Sequence, residues 1–222
     1  MSAVDRWATF DCYGTLIDWN AGIRAVLARL WPEEDPDGLL VSYHEVEPRL
    51  EADGRPYRDV LTGAVDEVAQ VRGLVMPEGG GIALADSLPS WRPFPEVPAS
   101  LARLRTDGWR IGILSNTDPD YLEASLASIG VPVDERVVAS EIGSYKPAIA
   151  HWEAFFRRTG ADRARHVHVA ASLFHDVQPS AALGLPCVWI NRLGETSELP
   201  RAAELPDLSG LSGTLGGLVP SD

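Results

Sequence analysis

The stretch RWATFDCYGTLIDWN (6–20) passes from an apolar run into turn chemistry and leaves one carboxylate, Asp11, at the junction. A carboxylate is a modest nucleophile, but in a dry pocket it can displace a leaving group and form an ester or acyl phosphate that water later cleaves. Gly14 permits a tight turn behind it, and Thr15 adds a hydroxyl for orientation. Other polar groups stand at matching places: Ser115 and Asn116 in ILSN, Lys146 in SYKP, and Asp176 in SLFHDV. The ammonium of Lys146 would hold Asp11 ionised and oriented. Taken singly, each has an ordinary structural reading, as strand-terminal turn, turn, solvated loop and helix N-cap in that order. Cys12 reads as a packed thiol, and His175 as a local neighbour of Asp176. Their order and strand-end placement together mark a site.

The elements that must position these groups follow from hydrophobic pattern. WATFD (7–11), WRIGILSN (109–116) and HVHVAAS (166–172) read as short buried strands with polar ends, and PCVWINR (186–192) as a fourth. Helical patterns separate them at 98–108, 120–130 and 148–160, each closed by Gly. Strands alternating with helices predict an α/β fold with a parallel sheet and helices on both faces. In such sheets ligands collect at the carboxyl ends of the strands, where the polar groups stand. Residues 18–93 break the alternation with AGIRAVLARLW, GLLVSYHEVEPRLE and YRDVLTGAVDEVAQVRG, which read as helices inserted after the first strand. GGG at 79–81 and prolines 93, 95 and 98 mark the return to the core, and the tail after 193 reads as loop.

A chain of 222 residues with 45% hydrophobic content can bury a sizeable core. Its net charge of −13 argues against a general nucleic-acid or membrane-surface binder, which needs basic patches. Two cysteines, Cys12 and Cys187, are too few for a disulfide framework and fit a reducing compartment. The first residues carry neither a basic segment nor an apolar leader, and no run reaches the roughly 18 apolar residues of a spanning helix. The expectation is a cytoplasmic protein.

The set FDCYGTL, ILSN, SYKP and SLFHD resembles the four motifs of the haloacid dehalogenase superfamily, over about residues 5 to 192. The resemblance implies a Rossmann-like core of residues 1–17 and 94–222 under a helical cap of 18–93. Within the superfamily the chain looks most like type II 2-haloacid dehalogenases, because a Tyr follows the nucleophile by two positions and GLPCVWINR is similar to theirs. Superfamily phosphatases place a second Asp where this chain has Tyr13, as general acid, and bind magnesium. A halide leaving group needs no proton and a carbon electrophile no magnesium, so Tyr13 argues for displacement at carbon without a cofactor or metal.

By resemblance, Asp11 attacks the substrate carbon, Lys146 orients it, and water activated near Asp176 hydrolyses the ester. Thr15, Ser115 and Asn116 would hold the carboxylate of a small acid substrate and the developing oxyanion. Three departures stand out. Type II enzymes carry a halide-binding cap Arg about thirty residues after the nucleophile, but GLLVSYHEVE (38–47) has none, leaving Arg49, Arg24, Arg55 and Arg58 as candidates. Leu173 stands where they have Asn, and Trp152 where they have Tyr. Trp19, Tyr43, His44 and Trp152 are instead candidates for an aromatic pocket. Other readings keep the fold: C–N bond opening, as in enzymes similar to azetidine-2-carboxylate hydrolases, with His44 or Tyr13 as acid; a magnesium-dependent phosphatase; or a non-catalytic binding protein. A homodimer is implied by resemblance alone.

Overall fold

The computed structural model describes residues 5–52 and 54–221. Its centre is a six-stranded sheet of β1 (Arg6–Phe10), β2 (Trp109–Ser115), β3 (Glu135–Val138), β4 (His166–Ala170), β5 (Cys187–Ile190) and β6 (Ala203–Leu205). The strand order is β3-β2-β1-β4-β5-β6, every pairing parallel. RWATF is buried along its whole length, as a central strand covered on both faces must be. The register sets Thr9 beside Gly112 on β2 and beside His168 on β4. Strand pleating sends alternate residues to opposite faces. Ala8, Phe10, Ile111, Ile113, Val167 and Val169 join one hydrophobic cluster, and Trp7, Leu114, Val137, Trp152 and Phe155 form another.

Helices α5 (Val97–Thr106), α6 (Pro119–Ile129) and α8 (Ala150–Thr159) lie where the sequence places them. Gly130 and Gly160 end α6 and α8 in the left-handed conformation that glycine adopts without steric cost. Short α7 (Ala139–Ile142) and α9 (Gln178–Ala182) complete the crossovers. Between β1 and α5 come α1 (Trp19–Leu30), α2 (Pro36–Glu51), α3 (Tyr57–Arg72) and α4 (Ala83–Ser87). Asp35 caps α2 by accepting from the N–H groups of Asp37 and Gly38, with Pro36 at the first helical position.

One expectation needs correction: the tail is not all loop, since it contributes β6 and α10 (Leu211–Leu218), and ERVV forms a strand, β3, that the sequence pattern does not reveal. Both strands are edges of three or four residues with charged members, so they lack the apolar run that marks a central strand.

The inserted helices share one continuous apolar core with the sheet, through Leu16, Ile17, Ile23, Leu27, Tyr43, Leu61 and Trp91. Polar ties add to it. Asp118, after β2, accepts from the backbone N–H groups of Tyr57 and Arg58 and so caps α3. The hydroxyl of Tyr145 donates to the Arg55 carbonyl at 2.8 Å. The helices thereby sit over the carboxyl ends of the central strands. Among the described residues, no helix is long and apolar enough to cross a membrane.

Candidate active site

Asp11 follows β1 directly, its N–H donating to the Val169 carbonyl of β4. Asp11 is 7% exposed, and its carboxylate is held at both oxygens. Lys146 Nζ donates to Oδ1 at 2.9 Å and the Thr15 hydroxyl to Oδ2 at 2.8 Å. Lys146 also donates to Asp176 Oδ1 at 2.6 Å and to the Leu114 carbonyl at 2.9 Å. Its three protons therefore meet three acceptors, two of them carboxylates. Asn116 fixes the lysine backbone from both sides, accepting from its N–H at 2.7 Å and donating to its carbonyl at 3.0 Å.

Behind Asp176 runs a buried chain of hydrogen bonds. His168 Nε2 lies 3.0 Å from Asp176 Oδ1, and its Nδ1 lies 2.9 Å from the Thr9 hydroxyl, which is 2.8 Å from His166 Nε2. One assignment satisfies all three contacts. His166 Nε2–H donates to Thr9, Thr9 donates to His168 Nδ1, and His168 Nε2–H donates to Asp176. Burial pushes His166 down to about 3, so its ring is neutral. His151, likewise pushed down to about 3 by burial and the charge of Lys146, donates Nε2–H to the Ser115 carbonyl.

The charges of this cluster respond to one cation shared by two acids. For Asp176, burial would raise the pKa, but Lys146 and the His168 hydrogen bond outweigh it and hold the carboxyl well below the usual range. For Asp11, burial is the largest effect and raises the pKa, opposed by Lys146 and reinforced by Asp176. Burial works against the Lys146 charge, but the two carboxylates prevail and raise its pKa.

A cavity of about 830 Å³ opens above this floor. Asp11, Ser115, Asn116, Lys146 and Asp176 line it from the sheet side, and Tyr13, Trp19 and His44 also reach it. The Ser115 hydroxyl and Asp176 Oδ2 are buried with no hydrogen-bond partner. Gly14 adopts φ +85°, and a Cβ there would stand 3.2 Å from Trp19 Nε1, so glycine lets the indole close down on the turn.

The geometry corrects several expected roles. Thr15 does not reach the cavity, because its hydroxyl is spent between Asp11 Oδ2 and the Ala171 N–H. Tyr13 offers the cavity its ring while its hydroxyl lies 3.1 Å from Ser125 Oγ, and burial pushes that phenol well above its ordinary range. Tyr43 is fully buried one layer behind, edge-on to Trp19. Trp152 packs against His168 on the sheet face, away from the cavity. Both are large apolar rings that the core absorbs. None of Arg24, Arg49, Arg55 and Arg58 lines the cavity. Arg24, Arg49 and Arg58 form surface pairs with Asp37, Glu67 and Asp86.

Other lining residues were missed. Arg192 stacks over Phe94 at 3.6 Å and donates to Glu96 and to the Thr15 carbonyl. More telling are Glu47 and Glu51 on α2, buried at 3% and 5% exposure. The Tyr57 hydroxyl donates to Glu47 at 3.1 Å. Glu51 faces His175 Nε2 at 3.3 Å and accepts from Asn116 Nδ2. A signal existed, since Glu47 and Glu51 fall on the same helical stripe as Leu39, Tyr43, Val46 and Leu50, where an acid is out of place.

Among the described residues, no three His, Cys, Asp or Glu side chains converge to hold a metal ion. The carboxylates of Asp11 and Asp176 are bridged by the Lys146 ammonium.

Known proteins resemble this chain in sequence and fold. Haloacetate dehalogenase H-2 of Moraxella sp. (strain B) is 26% identical over 192 residues, covering 83% of this chain and 85% of the relative. An (S)-2-haloacid dehalogenase of Pseudomonas sp. (strain YL) is 31% identical over 117 residues, 52% of this chain and 50% of the relative, so that match spans half the relative's length. The solved structure of the L-2-haloacid dehalogenase RSc1362 superposes with a TM-score of 0.85 at 26% identity, covering 96% of this chain and 99% of its own. The family model described as haloacid dehalogenase-like hydrolase matches residues 6–184. With Asp11, Ser115, Lys146 and Asp176 gathered at one sheet edge inside that span, the chain belongs to the haloacid dehalogenase-like hydrolases.

Proposed function

We propose that the enzyme displaces a leaving group, halide foremost, from C2 of a small 2-haloalkanoic acid through an ester on Asp11, without a metal. The observation that carries this reading is the single Lys146 ammonium shared by Asp11 and Asp176 on the cavity floor. The names of the relatives supply the substrate class.

In this reading an Asp11 oxygen attacks C2 in line with the carbon–halogen bond, which breaks as the ester bond forms. Halide departs with the electron pair and takes no proton. That suits a site whose Tyr13 hydroxyl is directed at Ser125. Water then attacks the ester carbonyl carbon of Asp11, releasing the 2-hydroxy acid and restoring the carboxylate. Asp176 Oδ2, buried and unpartnered, is the acceptor that orients this water. The Ser115 hydroxyl is the donor available to the substrate carboxylate. Residues 18–93 act as a cap on a core of 1–17 and 94–222 and keep water from the first step.

Halide release from fluoroacetate, chloroacetate and each enantiomer of 2-chloropropionate, measured by ion chromatography in excess chelator, tests the reading. Release is expected from at least one substrate and is lost by a factor of about 10⁴ in Asp11→Asn, a near-isosteric change that removes the nucleophile. Silence from all four in the unmodified enzyme would refute the halide assignment.

A further inference from the structure

Among the described residues, six carboxylate side chains line the cavity. Its Lys146, His175 and Arg192 side chains are each already committed, Lys146 to Asp11 and Asp176, His175 to Glu51, and Arg192 to Glu96. A simple 2-haloalkanoate would bring a further negative charge into this space. Yet two buried polar atoms on its walls, the Ser115 hydroxyl and Asp176 Oδ2, still lack a partner, and buried polar atoms are normally completed by a ligand, water or protein. One is a donor suited to a carboxylate, and the other is an acceptor.

On the helical side Glu47 and Glu51 stand one turn apart on α2, buried and repelling each other. Glu51 has His175 and Asn116 as partners, whereas Glu47 receives a hydrogen bond from Tyr57. A buried acid is costly unless a cation or donors compensate it. A positive group entering between them supplies what the wall lacks.

We infer that the cavity recognises a zwitterionic substrate, a 2-substituted acid bearing a protonated amine, whose nitrogen is received by the Glu47 and Glu51 wall while its carboxylate meets Ser115. This rests on the reading that Asp11 is the reacting group of the cavity, and it narrows the substrate class for that reaction. Burial and the charge of Glu51 push Glu47 up to about 8, so an arriving ammonium also favours its ionisation.

Matched inert ligands test the inference on the unmodified enzyme. Proline and cyclopentanecarboxylate have nearly the same shape and differ by NH₂⁺ against CH₂, as alanine and isobutyrate differ by NH₃⁺ against CH₃. Competition calorimetry should show the amino acid of at least one pair bound about tenfold or more tightly than its carbon analogue. The preference should collapse toward unity in the Glu47→Gln/Glu51→Gln double variant and shrink partly in Glu51→Gln alone. No nitrogen preference in either pair, including failure of both amino acids to bind, overturns the inference. Halide release measured in parallel separates the two readings. Release from 2-chloropropionate without nitrogen preference overturns this inference and leaves the Asp11 reaction standing, whereas nitrogen preference without any release supports this inference and removes the halide assignment.

Discussion

The two walls of the cavity carry the same functional group and treat it oppositely. On the sheet side, Asp176 is fully buried yet held well below the ordinary carboxylate range, because Lys146 and His168 bond to its Oδ1. On the helical side, Glu47 is also buried and is pushed up to about 8, by that burial first and by the charge of Glu51 second. Burial is the largest influence on both and raises both. What separates them is a cation within hydrogen-bond reach. On the sheet wall the buried acid is compensated by a cation, whereas on the helical wall Glu47 has only the Tyr57 hydroxyl bonded to it.

Removing the cation should make the first wall resemble the second. Lys146→Met leaves Asp11 and Asp176 buried without compensation and is expected to cost about 3–5 kcal/mol of stability, together with turnover. Asp176 has a depressed pKa in the fold, so its favourable contribution exists above its ordinary value of 3.8 and is lost as pH falls. The deficit of Lys146→Met, followed by urea unfolding, is therefore largest at neutral pH and shrinks towards pH 3.

Relieving the second wall should have the opposite sign. The Glu47 pKa rises from 4.5 to about 8 on folding, so its contribution is most favourable below pH 4.5 and is lost as pH rises through 8. Glu47→Gln should match or fall slightly below the parent protein at pH 4.5 and exceed it by roughly 2–5 kcal/mol at pH 8, with the gain levelling beyond. A flat difference across that range in unfolding experiments would mean that the two walls are electrostatically alike.

The smallest effect belongs to the arginine nearest the place where type II enzymes carry their cap cation. Arg49 is 66% exposed in its pair with Glu67, so Arg49→Ala should shift stability by less than about 0.5 kcal/mol and leave turnover unchanged. A large loss of turnover would put a cation on the helical wall and undo the contrast.

The legibility of the two walls in the sequence differed as sharply. Asp11, Ser115, Lys146 and Asp176 stand where apolar strands end or helices begin, and a parallel sheet must gather those places at one edge. The helical wall could not be read this way. Glu47 and Glu51 look like solvated acids until α2 is docked, and only their coincidence with the apolar stripe of Leu39, Val46 and Leu50 betrays them. Aromatic residues erred the other way, since Tyr43 and Trp152 carry the chemistry of a pocket but their area is taken up by the core. Thr15 reads from the sequence as a substrate contact, whereas its hydroxyl bonds to Asp11, a distinction of a few ångströms that no residue spacing encodes. The edge strands β3 and β6 were missed because short, half-exposed strands have no apolar run to announce them.

That Asp11 forms the covalent bond is most directly tested with enzyme in molar excess over 2-chloropropionate in ¹⁸O-labelled water, followed by mass analysis of product and of the peptide bearing Asp11. If the carboxylate attacks and water cleaves the ester at its carbonyl, the first turnover leaves the label on Asp11 and an unlabelled hydroxyl in the product. Label in the product hydroxyl with none on Asp11 would mean that water attacks the substrate directly, and Asp11 would lose its place as nucleophile.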